Sequence, residues 1–218
     1  MKNKYVFIIT VSFICSMLLS LASEGLKEKK NLNIELDKKK NILRLIGIET
    51  AGLSSEIIIS EFNSNIKEQV INIDGILIKD IFHKDLEKYI NRKSGDTEYF
   101  NDSNKYLPLF VSESMNSIIL PISGKGLWSS LFGYIAINSK NYSRVNGITF
   151  YAHGETPGLG AVISEPEYQS TFIGKEIYQD GNLVSIRVAK AGMANKSNLY
   201  EVNGISGATI TSNGVEEL

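Results

Sequence analysis

Gly147-Ile-Thr-Phe-Tyr-Ala-His153-Gly-Glu-Thr-Pro-Gly-Leu-Gly160 reads as a strand that runs directly into a loop. Gly147 to Ala152 is rich in β-branched and aromatic residues, the types that suit a pleated, half-buried surface. The next eight residues hold three glycines and a proline, which makes a rigid, exposed backbone. Such loops carry function more often than cores do. His153 and Glu155 have the types of an acid–base pair, but neither has a third partner visible in the sequence. The plainer reading is a shaped loop without acid–base catalysis.

Upstream, Phe132 to Ile137, Ser117 to Pro121, Pro108 to Val111 and Gly75 to Ile81 are apolar, strand-like pieces, and Leu183 to Ala189 is another downstream. Ile66 to Ile73 fits helix or strand. Ser54 to Phe62 and Tyr168 to Gly174 read as short helices, and Lys190 to Leu199 as a polar loop. His83 to Tyr106 is rich in Asn, Asp, Ser and Lys and reads as a loop or a poorly ordered excursion, with His83 at the surface. The glycines of Gly124-Lys-Gly-Leu-Trp128 make a tight loop expected to bury its tryptophan. Lys125 stands where it could meet a phosphate, although a solvated lysine is the default. The strands near 76, 118, 134, 149 and 186 lack the strand–helix alternation of a doubly wound sheet. The expected fold class is therefore α/β of the α+β type: a mostly antiparallel, twisted sheet with packed helices, behind one N-terminal transmembrane helix.

Tyr5 to Ala22 is an uncharged run of 18 residues, preceded by Lys2 and Lys4. It is just long enough to cross a bilayer. Ser20-Leu-Ala22 would also serve as a signal-peptide cleavage site, so the segment alone leaves both outcomes open. Bulky residues before Cys15 do not fit a lipoprotein anchor. Leu26 to Ile48 is highly charged with apolar residues at helical spacing, which predicts a helix stopping near Gly47. Its lysines read as a solvated face. The organisation expected is an anchor over 1–25, a connecting helix over 26–48 and one domain over 49–218. The 218-residue chain has a net charge of −1, one cysteine and two distant histidines. That pattern offers no basic face for nucleic acid, no disulfide framework and no metal cluster.

Asn203-Gly-Ile-Ser-Gly-Ala-Thr209-Ile-Thr-Ser-Asn-Gly-Val-Glu-Glu-Leu218 closes the sequence. Thr211 and Ser212 are good N-cap types, with Glu216 and Glu217 a turn later, so a helix is expected to begin there. A helix N-terminus favours an anion, a phosphate above all. The plainer alternative is an ordinary capped turn. Ser206-Gly207-Ala208-Thr209 resembles the flavinylation motif of FMN-binding domains, Asp-x-x-(Ser/Thr)-Gly-Ala-Thr. In that family the last Thr carries FMN through a phosphoester made by a separate flavin transferase. Thr209 matches that Thr, and Asn203 stands where the motif has Asp.

Gly124-Lys-Gly-Leu-Trp-Ser129, Glu155-Thr-Pro-Gly-Leu-Gly160 and Ser206-Gly-Ala-Thr209 occur in order behind one apolar helix. In that arrangement the chain resembles the family of C subunits of bacterial sodium-translocating NADH:quinone reductases, most strongly from Pro121 to Val215. The resemblance implies a membrane-anchored flavoprotein that relays electrons through FMN bound covalently to Thr209. No group acting as an acid–base catalyst is implied. Other subunits of the complex would handle NADH, ubiquinone and sodium. The cofactor-binding residues it implies are Thr209, Ser206, Gly207 and Ala208. Thr156 and Leu159 are the expected contacts of the flavin ring. It also implies that the helix is retained in the bacterial inner membrane, with the domain on the periplasmic side and Lys2 and Lys4 in the cytoplasm. The lysines after the helix do not match the charge rule. Two alternatives stay open: the G subunit of a ferredoxin:NAD electron-transport complex, and a non-redox binding or assembly module. The sequence stops soon after the motif, so the last helix is short or the sequence is cut there.

Overall fold

A computed structural model describes residues 2–218 of the chain. Helix α1 spans Lys2–Leu45 without a break, so the expected anchor and connecting helix form one element. Residues up to Lys38 and Lys39–Leu218 are separate compact units. Among the described residues, α1 is the one helix long and apolar enough to cross a membrane. Its apolar side chains Phe7, Ile9, Phe13 and Leu19 are all exposed. Beyond them Lys27 pairs with Glu24 at 3.1 Å, an exposed contact worth little.

The helix ends as its sequence predicts. The N–H of Ile48 donates to Leu43 O at 3.0 Å and that of Gly47 to Arg44 O at 3.0 Å. This double bond pattern closes a helix through a left-handed residue, and Gly47 has φ +79°. Helix α2 covers Ser55–Asn65, with Ser54 as N-cap accepting from the Ile57 N–H.

The strands are β1 (Lys67–Asn72), β2 (Leu77–Ile78), β3 (Glu87–Ile90), β4 (Thr97–Asn101), β5 (Asn104–Ser112), β6 (Ser117–Lys125), β7 (Ser130–Asn138) and β8 (Val145–Ala152). They form one antiparallel sheet in the order β2-β1-β5-β6-β7-β8, with β4 joining β3 to β5. Ile66 to Ile73 is thus resolved as strand. The expected loop from His83 to Tyr106 is instead a hairpin running into β5. None of the β3 or β4 residues is buried, so the ribbon has no apolar alternation for a sequence reading to find. His83 is not simply a surface residue. Its ring packs edge-on against Phe110 at 4.8 Å, with Nε2 2.7 Å from Gln69 O.

After β8 come helix α3 (Pro166–Ser170), a two-residue hairpin pair β9 (Tyr178–Gln179) and β10 (Asn182–Leu183), the parallel pair β11 (Arg187–Ala189) and β12 (Glu201–Asn203), and helix α4 (Thr209–Glu216). Helix α3 starts two residues before the expected Tyr168, because Pro166 is preorganised for a first turn. Successive residues of β8 face opposite sides of the sheet. Thr149 donates to Asn41 Oδ1 at 3.1 Å on the side of α1's last turns. Ile148 and Phe150 join Leu131, Ile163, Tyr168, Phe172, Val188, Val202 and Val215 in the main core. Ile42, Leu43, Ile58 and Phe62 fill the other layer, where Phe62 meets Phe110 at 6.1 Å.

The register decides where the loops emerge. Lys125 pairs with Ser130, so residues 126–129 form the turn between β6 and β7. Ala152 pairs with Phe132, so the loop after β8 leaves the sheet beside that same turn. Leu43 is fully buried, and Leu43→Ala should cost about 2–5 kcal/mol of domain stability, read by chemical denaturation.

Candidate functional site

Three segments meet at one end of the sheet: the turn 126–129, the loop 153–160 and the first turn of α4. The side chain at their centre is Glu155, only 5% exposed. Its carboxylate accepts the Trp128 N–H on Oε1 at 3.0 Å and the Leu127 N–H on Oε2 at 3.3 Å. Thr211, 1% exposed, donates its hydroxyl to Oε2 at 2.5 Å. Burial works to raise the Glu155 pKa, but these hydrogen bonds and the Ser129 backbone outweigh it and hold the pKa below the ordinary value. The group is therefore an ionised carboxylate at neutral pH.

The glycines around it are places of close approach. A Cβ on Gly160 would lie 2.6 Å from Thr211 Oγ1 and 2.8 Å from Glu155 Oε2. One on Gly214, in α4, would lie 1.9 Å from the Lys125 carbonyl oxygen. The helix can dock on the end of β6 only because that position has no side chain.

His153 is not an acid–base partner of the Glu155 side chain. Its Nδ1 accepts the backbone N–H of Glu155 at 3.2 Å, which leaves Nε2 as donor to Ser164 Oγ at 3.1 Å. Ser129 Oγ accepts the Gly154 N–H at 2.6 Å, a second tie between turn and loop.

Helix α4 begins at Thr209, two residues earlier than its Ser and Thr content suggests, and Ala208 precedes it without a side-chain cap. The expected capping residues face inward instead: Thr211 toward Glu155, and Ser212 Oγ to the N–H of Ile205 at 3.0 Å. Thr209 and Ser206 are exposed and Ala208 is buried. Gly207 takes φ +74°, and a Cβ there would lie 3.2 Å from Leu159 Cδ2. Leu159 therefore stands against the Ser-Gly-Ala-Thr turn. Thr156 sits in the same loop, exposed, with its carbonyl accepting the Leu159 and Ala161 N–H groups.

Trp128 is 69% exposed, contrary to the expected burial, because its backbone rather than its ring is what the turn anchors. Leu127, Leu159 and Ile210 are exposed as well, so each of the three segments that meet here carries an exposed apolar side chain, and α4 starts without a side-chain cap. A flat ring joined to a phosphate matches both halves of this surface. Lys125 is exposed. Asn203 Oδ1 accepts the Ala194 N–H at 2.9 Å, a role the motif's Asp would fill equally. The roles that Glu155 and Thr211 play here were hidden in the sequence, since the partners lie 27 to 56 residues away.

Residues 126–218 match the FMN-binding domain family, which sets the class of that part of the chain. Over 236 residues the chain is 31% identical to the C subunit of the Na(+)-translocating NADH-quinone reductase of Vibrio anguillarum, covering 99% of this chain and 87% of that protein. It is 33% identical to the Yersinia pestis protein of the same name, covering 96% of this chain and 83% of that one. A crystal structure of the C subunit from Parabacteroides distasonis superposes with a TM-score of 0.70 at 31% identity, covering 88% of this chain and 90% of that one. The chain belongs to the family of C subunits of Na(+)-translocating NADH-quinone reductases.

Gly214→Ala should cost about 1–3 kcal/mol in chemical denaturation, because α4 must lift off Lys125. The depressed Glu155 pKa has a definite pH signature. Its contribution to stability is complete above the ordinary carboxylate value of 4.5 and is lost as pH falls through the lower folded-state value. In thermal melts, the stability gap between wild type and Glu155→Gln should be constant at neutral pH and narrow below that value.

Proposed function

We propose that this protein is the flavin-bearing C subunit of a sodium-translocating NADH:quinone reductase, carrying FMN as a phosphoester on Thr209. The observation that carries the reading is Thr209 itself: an exposed hydroxyl at the uncapped N-terminus of α4, within a Ser-Gly-Ala-Thr turn. Thr209 Oγ1 would hold the phosphate, with the turn Ser206-Gly207-Ala208 around it. Leu159 and Thr156 would face the ring. The bound group would supply reversible electron transfer, and the protein's task is to hold it and set its surroundings.

Forming the ester removes the proton of Thr209 Oγ1 and makes an O–P bond while an activating group leaves phosphorus. The donor class is therefore a flavin nucleotide phosphoanhydride, supplied through a flavin transferase. A covalent tether suits a relay, since the cofactor cannot dissociate between electron transfers.

Other subunits of the complex are the partners, with NADH, ubiquinone and sodium handled by them. The apolar run of α1 is the single-pass anchor, with the domain on the periplasmic side of the inner membrane. Asn203, which stands where the motif has Asp, still offers a side-chain acceptor to the Ala194 N–H, which supports a working motif.

The test is in-gel flavin fluorescence after denaturation, with an intact mass on protein from its own membranes. Wild type should carry one added FMN unit and Thr209→Ala none. A fluorescent Thr209→Ala band, or a wild-type mass equal to the bare polypeptide, overturns the assignment.

A further inference from the structure

Among the described residues the buried carboxylates are Glu155 and Glu201. Glu201 has a cation, Arg187, at 3.6 Å. Glu155 has none among those residues; hydrogen bonds alone compensate its charge, and the strongest donor is the side chain of Thr211. An arrangement built only to stabilise the domain would not need a buried charge, because apolar replacements of similar shape do as well. What it does fix is direction.

We propose that the Glu155 carboxylate, acting through Thr211, is the positioning device that selects and presents Thr209 as the flavin acceptor. The inference rests on the acceptor role of Thr209 given above. Residues two apart on a helix point about 200° away from each other. Holding the Thr211 hydroxyl inward therefore sets the rotation of the first turn and turns Thr209 outward. The same contact removes a competing hydroxyl. Of the hydroxyls at 206, 209, 211 and 212, Thr211 and Ser212 are buried and bonded, while Thr209 and Ser206 are exposed. The carboxylate also takes the Leu127 and Trp128 amides, so the turn that carries these exposed apolar side chains is tied through Glu155 and Thr211 to the helix that begins at Thr209. Thr211 is thus no neutral control for Thr209, despite the shared side-chain type.

The test uses full-length apo protein in detergent, a purified flavin transferase and a flavin dinucleotide donor. Initial rates of label incorporation are read against acceptor concentration, well below the melting temperature of each variant. Thr211→Val and Glu155→Gln should lose more than tenfold in kcat with little change in KM, and Thr211→Ser should restore the rate. Thr211→Val keeps the shape of the side chain, so it remains informative if Glu155→Gln fails to fold. Wild-type rates in both variants, with Thr209→Ala unlabelled, overturn the positioning role and leave the acceptor intact. Label on Thr209→Ala, or none on wild type, overturns the acceptor and this role with it.

Discussion

The organisation of this domain depends on one buried negative charge. Removing a carboxylate from water is costly unless hydrogen bonds replace the hydration. At Glu155 they come from two different segments, the 126–129 turn and helix α4. Neither segment neighbours Glu155 in sequence, so the charge can be satisfied only when all three are in place. Loss of any one leaves it buried and short of donors, and that penalty couples the loops to the helix more tightly than apolar contact alone would.

The sheet makes this meeting possible. Antiparallel pairing of β6, β7 and β8 returns the chain to the same end twice, once at the 126–129 turn and once at 153–160. The last helix then needs only to dock across that end. Its approach is close enough that Gly214 contacts the Lys125 carbonyl, where any side chain would intervene. Rigid strands therefore hold both loops, and the glycines let their backbones touch. A surface hydroxyl placed this way has a defined direction, although the residue itself is exposed.

Much of this was legible in the sequence where burial leaves a period. Strands β6, β7 and β8 announce themselves because their apolar residues are buried against two layers. Gly47 ends α1 for a reason visible in the residue type. The β3–β4 ribbon was not legible, because β3 is exposed, β4 is only half-buried throughout, and neither shows an apolar alternation. The start of α4 was misread for a different reason. Ser and Thr hydroxyls cap helices locally, but Thr211 and Ser212 commit theirs to distant groups, Glu155 and the Ile205 amide. Likewise the types of His153 and Glu155 suggested a pair, whereas the fold routes each to a different partner. Residue type indicates what a side chain is able to bond, and only topology decides which partner it reaches.

Asn203 shows the same distinction at the level of a motif. The position lies at the end of β12, level with Ala189 in the parallel pair, and its side-chain oxygen accepts the Ala194 N–H. An amide and a carboxylate each offer that oxygen with nearly the same reach. What differs is charge: an Asp would place a negative group six residues before Thr209, and Asn does not. For a helix N-terminus that favours anions, a nearby carboxylate works against the attraction. The Asn thus retains the geometric part of the motif and discards its charge. The geometric part, together with the Asn195 N–H donating to Glu201 Oε2 at 2.9 Å, keeps the 190–199 loop joined to the strand that leads into the Ser-Gly-Ala-Thr turn.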